Sequence, residues 1–200
     1  HVLSRRQRQM CIRDRSRLEL GRSHQNIYGN TEDSNQLWEK KVFMSAKLDM
    51  FNNIKGFLHP DEGKYLYELS SRECRERFAV EIGSYCGKSA CYIGLACKEN
   101  DTKLFSIDHH RGSEEQQFGE EYFDEEIYDY ENKRVDTYPL FMSNIKKFDL
   151  IDTVIPVIDN SVEASKRIED DLGLVFIDGS HTFESALSLI HISEPTRRKR

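Results

Sequence analysis

No stretch of the sequence approaches the apolar length that a membrane-spanning helix needs, and no leader with basic, apolar and small-residue zones is visible. The expectation is a cytoplasmic protein with no membrane partner. Cysteine is sparse, at five in 200 residues. Cys74, Cys86, Cys91 and Cys97 match neither a zinc-binding spacing nor a paired disulfide framework. They read as small buried thiols in a reducing setting. Internal repeats and low-complexity linkers are also missing. So is an excess of positive charge: the formal net charge is −6. A phosphate backbone is therefore an unfavourable partner, and nucleic acid is excluded as the expected target.

The little basic charge that is clustered sits at the two ends, and the ends share a peculiarity. MCIRDR (Met10 to Arg15) can be encoded by ATG TGT ATA AGA GAC AG, whose reverse complement encodes LSLIHI (Leu187 to Ile192). One inverted DNA element on both sides accounts for this, and it resembles the transposase end used in sequencing libraries. RRQRQ (Arg5 to Gln9) and SEPTR (Ser193 to Arg197) resemble its adapter arms. The expectation is that residues 1–15 and 187–200 lie outside the fold and that the native reading is cut short at Ala186; the alternative is a natural basic arm and a nuclear-type RRKR signal. Those ends carry +4 and +3, so removing them from −6 leaves −13 on the central segment.

That segment divides in two. From about Asn35 to Phe57, Leu37, Met44, Leu48 and Phe51 recur at amphipathic-helix spacing. His59-Pro60 interrupts it, and Pro60 opens a second helix reaching about Ser70. The period then changes. Phe78 to Gly83, Lys103 to Asp108, Thr153 to Asp159 and Leu172 to Asp178 are short apolar runs, each ending on Gly or a carboxylate. Helical patterns separate them over Lys88 to Asn100, over Asp136 to Phe148 and after Ser161, a candidate N-cap. The pattern predicts an α/β fold with a Rossmann-like parallel sheet, incomplete at its end and preceded by an N-terminal helical segment. The expected units are residues 16–72 for the helices and 73–186 for the sheet. Ligands of such sheets lie at the strands' carboxyl ends.

The loop after the first strand, VEIGSYCGKSA, admits two ligands. A phosphate loop requires four residues between its glycines before Lys-Ser/Thr. Gly83 and Gly87 enclose three, which leaves the ring of amides one short. Glu81 would also face an anionic phosphate, whereas a carboxylate there suits a cationic amino group. Asp108 ends the next strand, where a carboxylate meets ribose hydroxyls in nucleoside-binding units or simply caps the strand end. The dinucleotide fingerprint G-x-G-x-x-G is absent because position 85 is Tyr85.

IKGFLHPDEGKYLYEL, VEIGSYCGKSA, FSIDHH, VIDNSVEAS and LVFIDGSHTFE together resemble the class I S-adenosylmethionine-dependent methyltransferases, and among these the small-molecule O-methyltransferases similar to macrocin-type enzymes. The resemblance runs from about Ile54 to Ala186. It implies that Glu81, Gly83, Ser84 and Gly87 hold the methionine part of the cofactor, Asp108 its ribose, and Asp159, Asn160 and Ser161 its adenine. It implies Asp178 as a ligand of Mg²⁺ in metal-dependent relatives and His181 as a base or substrate contact. The remaining metal carboxylates would follow a strand beyond Ala186. A P-loop NTPase or kinase and a non-catalytic nucleoside-binding module remain the alternatives.

Gly112 to Lys133 is an acidic stretch interleaved with Phe118, Tyr122, Phe123, Tyr128 and Tyr130. Emerging at the ligand edge, it reads as a lid or a solvated loop. Its charge disfavours anionic acceptors, so the expected partner is a neutral or cationic small molecule. A homo-oligomer stays open.

Overall fold

The structure, a computed structural model, describes residues 31–159, 163–164 and 171–179. Helix α1 (Thr31–Met50) passes into a 3₁₀ turn (Phe51–Asn53), followed by α2 (Pro60–Glu73) and the strand–helix–strand unit β1 (Phe78–Ile82), α3 (Lys88–Glu99) and β2 (Leu104–Ile107). A two-strand ladder of β3 (Tyr128–Asp129) and β4 (Arg134–Val135) precedes α4 (Tyr138–Lys147), β5 (Val154–Val157) and β6 (Leu172–Ile177).

The sheet order is β5-β2-β1-β6, with every neighbouring pair parallel. This is the α/β arrangement expected from the alternating pattern. Glu81 lies opposite Ser106 on one side and Phe176 on the other. The ladder continues past the strand ends, where the Gly83 amide donates to the Ile107 carbonyl (2.9 Å), Asp108 to Val157 (3.1 Å) and Asp178 to Ile82 (2.9 Å). These bonds line up the four carboxyl-terminal ends along one edge.

Strand alternation gives the sheet two apolar faces. Ala79, Leu104, Leu174 and Phe176 join one core with α2, α3 and α4; Val80, Ile82 and Ile107 join another with Ala164. The N-terminal helices belong to the first core rather than standing apart. Leu48, Phe51, Ile54, Leu58, Leu66 and Leu69 are buried in it, and Phe51 meets Tyr92 and Phe148 edge to face at 5.0 and 4.8 Å. The helix read as continuous to Phe57 ends at Met50, because Ile54 turns extended and lets Phe51, Ile54 and Leu58 all reach that core. α2 starts at Pro60 as expected. The His59 ring accepts from the Asp61 amide while Glu62 accepts from the His59 amide, a reciprocal cap.

The acidic stretch departs from a plain loop. It contains two 3₁₀ turns (Glu114–Gln116 and Glu125–Ile127) and the β3–β4 ladder. Ser113 and Gln116 cap the first turn reciprocally and Asp124 caps the second. Phe118, Phe123, Tyr128 and Tyr130 pack as a chain of ring pairs 5.0–5.7 Å apart. Local caps and aromatic contacts thus order a segment whose composition admits either a lid or a solvated loop. Among the described residues no helix is long and apolar enough to cross a membrane.

Candidate active site

The edge formed by the strand ends carries the candidate residues. Glu81 is the penultimate residue of β1, on the face covered by α3, with no solvent exposure. Its Oε2 accepts from the Ser106 hydroxyl at 2.7 Å, and Ser106 shares a 2.5 Å contact with the Ser84 hydroxyl. Among the described residues Oε1 is buried without a hydrogen-bond partner. Burial raises the Glu81 pKa to about 7, and nearby Asp178 adds to the rise; the hydroxyls of Ser89, Ser106 and Ser84 hold it back. A buried carboxylate with one unsatisfied oxygen is costly by itself and is stabilised by a cation beside it.

Gly83 and Gly87 both adopt φ +87°, in the left-handed region. The structure supplies a reason for each within the protein. A Cβ at Gly83 would stand 2.6 Å from the Asp178 carbonyl oxygen and 2.7 Å from the Gly179 Cα. A Cβ at Gly87 would stand 3.0 Å from the Phe141 ring. The tight turn between them is closed by the Gly87 amide on the Ser84 carbonyl at 2.8 Å, and α3 begins directly after it. A helix amino terminus therefore opens beside Glu81.

Asp108 is held tightly. Its Oδ2 accepts from the amides of Ser84 (2.8 Å) and Tyr85 (2.9 Å), and its Oδ1 from the amide of His110 (2.8 Å). The strand-end cap and the candidate ribose ligand are thus the same carboxylate, whose lone pairs are partly committed to the loop. Asp159 lies just past β5, its amide turned back onto the Val157 carbonyl at 3.0 Å. Asp178 sits at the end of β6, half-buried and near enough to Glu81 to influence it. Asn160, Ser161 and His181 lie outside the described residues.

Among the described residues no three His, Cys, Asp or Glu side chains gather around one point.

Three features of the site escape sequence reading. Ser106 and Ser89 flank Glu81; the only signal is a serine inside an apolar strand and another in the first turn of a helix. His110 is 1% exposed; nothing in FSIDHH separates it from its exposed neighbour His109. The Lys55 ammonium binds Asp124 (2.5 Å) and Glu126, and the Phe57 ring packs tilted on Tyr85 (5.7 Å) and edge to face on Tyr122 (6.4 Å). These contacts pin the acidic excursion over the loop, a pairing that long sequence separation conceals.

Several solved structures are similar in part. Rv0187 from MTB, crystallised with bound cofactor, is 15% identical, with 83% of this chain and 67% of that one covered and a TM-score of 0.49. The O-methyltransferase from Bacillus cereus, in complex with SAH, is 18% identical over 72% of this chain and 61% of its own, with a TM-score of 0.46. TomG from Streptomyces achromogenes, an O-methyltransferase of tomaymycin synthesis in complex with SAM, is 15% identical over 81% and 70%, with a TM-score of 0.44. The chain spans 61–70% of the length of these proteins. The model of a methyltransferase domain matches residues 80–200, more than half of the chain and the whole of the loop, strand ends and intervening helices described above. The chain belongs to that methyltransferase-domain family.

Proposed function

We propose that this protein binds S-adenosylmethionine along the carboxyl edge of β1, β2 and β5 and directs methyl transfer to an oxygen of a small molecule. The observation that carries this reading is Glu81: a fully buried carboxylate with Oε1 unsatisfied, set beside the amino terminus of α3. An ammonium group satisfies that oxygen; a phosphate is repelled by it. The bound cofactor supplies an electrophilic methyl on a sulfonium centre.

The residues that would hold it divide the work. Glu81, with Ser84, Gly83 and Gly87, forms the seat for the amino-acid portion. Asp108 offers its remaining lone pairs to ribose hydroxyls while fixing the loop amides. Asp159, Asn160 and Ser161 follow β5 on the adenine side. Asp178 and His181, both after β6, would face the acceptor, where His181 accepts the hydroxyl proton and the protein otherwise aligns the reacting oxygen and excludes water. Residues 73–186 would form the cofactor-binding unit.

The acceptor is a neutral or cationic small molecule. In the ordered excursion Glu114, Glu115, Glu120, Glu121, Asp124, Glu125 and Glu126 outnumber the basic residues near its roots. Such a field disfavours anionic acceptors. Four buried free thiols, Cys74, Cys86, Cys91 and Cys97, support a reducing cytoplasmic setting. The test is equilibrium dialysis against tritiated S-adenosylmethionine with ATP as competitor, followed by a search for label on a panel of hydroxylated small molecules. Retention of label that ATP does not displace is expected; no retention contradicts the reading.

A further inference from the structure

The acidic excursion over residues 111–136 leaves and rejoins the fold at one point. Its two roots, His110 and Thr137, are both 1% exposed. The Thr137 amide donates to the His110 carbonyl at 3.2 Å, and the His110 Nδ1 lies 2.7 Å from the Thr137 hydroxyl. One residue further out, Arg111 and Asp136 pair at 3.0 Å. His110 adopts φ +57°, in the left-handed region that few residues other than glycine occupy.

The same histidine stands between two grips on the loop that carries Gly83 to Gly87. On one side its amide occupies Asp108 Oδ1, while Oδ2 holds the amides of Ser84 and Tyr85. On the other side its ring packs on Tyr138 and Phe141, at 5.2 and 5.1 Å, in the first turn of α4. α4 reaches the loop at two places: the Phe141 ring lies against Gly87, and Asn144 Nδ2 donates to the Cys86 carbonyl at 2.9 Å. The path from Ser84 through Asp108, His110 and α4 back to Cys86 and Gly87 is a closed circuit. His110 is the buried imidazole of that circuit. Burial lowers its pKa and so disfavours the charged ring. Among the described residues its Nε2 has no hydrogen-bond partner, so the ring's orientation rests on Nδ1 and on its aromatic contacts.

We propose that His110 is a positioning residue for the cofactor loop: clasped to Thr137 and seated on Tyr138 and Phe141, it aligns the Asp108 grip with the α4 grip, so that the loop is shaped before any ligand arrives. The consequence for cofactor affinity rests on the reading of the site given above; the shaping of the loop itself does not.

The experiment compares His110→Phe, His110→Asn and Thr137→Val in the full chain. His110→Phe keeps the aromatic packing and removes the bond to Thr137. His110→Asn places an amide where Nδ1 stood. Thr137→Val leaves the imidazole and removes its partner, and it decides the matter if His110→Phe does not fold. Two quantities are measured: S-adenosylhomocysteine affinity by calorimetry, and amide exchange at Ser84 and Tyr85 relative to Tyr92 and Ile93 inside α3. The expected result is a tenfold or greater loss of affinity in His110→Phe and Thr137→Val. Exchange should be at least tenfold faster at Ser84 and Tyr85 and unchanged at Tyr92 and Ile93, and His110→Asn should restore both to within about threefold of the parent. Parent-like affinity and loop exchange in His110→Phe, or equal loosening of loop and α3, overturns the proposal. Should the parent chain itself not bind S-adenosylhomocysteine, the cofactor reading fails, and the exchange comparison alone judges His110.

Discussion

The backbone amide of Ser84 donates to Asp108 Oδ2 at 2.8 Å, so the loop after β1 is held by the carboxylate that ends β2. The Tyr85 amide shares the same oxygen at 2.9 Å. Asp108→Ala leaves those two amides and that of His110 without their acceptor. Cofactor affinity is expected to fall by roughly 1–3 kcal/mol, about 5- to 150-fold. Calorimetry with S-adenosylhomocysteine checks this, and an unchanged dissociation constant removes Asp108 from the binding machinery.

Glu81 makes stability depend on pH in an unusual direction. Its pKa rises from 4.5 to about 7 in the folded protein, with burial as the main cause. Between those values the folded state keeps a proton that the unfolded chain has released. Stability therefore falls as pH climbs from about 4.5 to about 7, and the penalty is complete above that, at about 3 kcal/mol as an upper figure. Glu81→Gln should melt higher than the parent at pH 8 and match it near pH 4. Identical melting curves at both values mean that Glu81 is not desolvated as described.

The same group links ligand binding to protons. An ammonium beside Glu81 favours its ionised form, so S-adenosylhomocysteine affinity should increase from pH 6 to pH 8 in the parent chain, and Glu81→Gln should bind more weakly with a flatter profile. A parent profile as flat as the variant's would separate Glu81 from the ligand.

Gly83 is constrained by the protein before any ligand is considered. Gly83→Ala asks for φ +87° from a residue with a Cβ and drives that carbon to 2.6 Å from the Asp178 carbonyl oxygen. A loss of roughly 2–4 kcal/mol is expected, read as a lower midpoint in urea. A midpoint within error of the parent's would show that the β1 and β6 ends are not packed this closely.

The parts of this molecule that could be read from sequence are those dictated by local chemistry. Val80 and Ile82 face one core and Ala79 the other, so the β1 run is apolar apart from Glu81, and that exception marks the site. Pro60 announces α2, and the ends of β2 and β6 are marked by Asp108 and Asp178. What sequence could not reveal depends on partners brought together by folding. Gly83 reads as a residue that holds the cofactor's methionine part, and its missing Cβ also makes room for the Asp178–Gly179 backbone. Asp108 reads as a ribose ligand or a cap, and two of its three amide partners come from the loop after β1, more than twenty residues away in sequence. The excursion reads as a lid or a solvated loop, and Lys55, distant in sequence, pairs with Asp124 and Glu126 and fixes its position. His109 and His110 are neighbours with opposite fates, the one exposed and the other buried, because the chain turns through φ +57° between β2 and the excursion.

The most direct test of the whole account is a calorimetric titration of the chain at pH 8 with S-adenosylhomocysteine in the absence of magnesium, set beside a titration with ATP and magnesium. The account predicts saturable binding of S-adenosylhomocysteine that weakens in Glu81→Gln, and no binding of ATP. Saturable binding of magnesium-ATP with none of S-adenosylhomocysteine would contradict it.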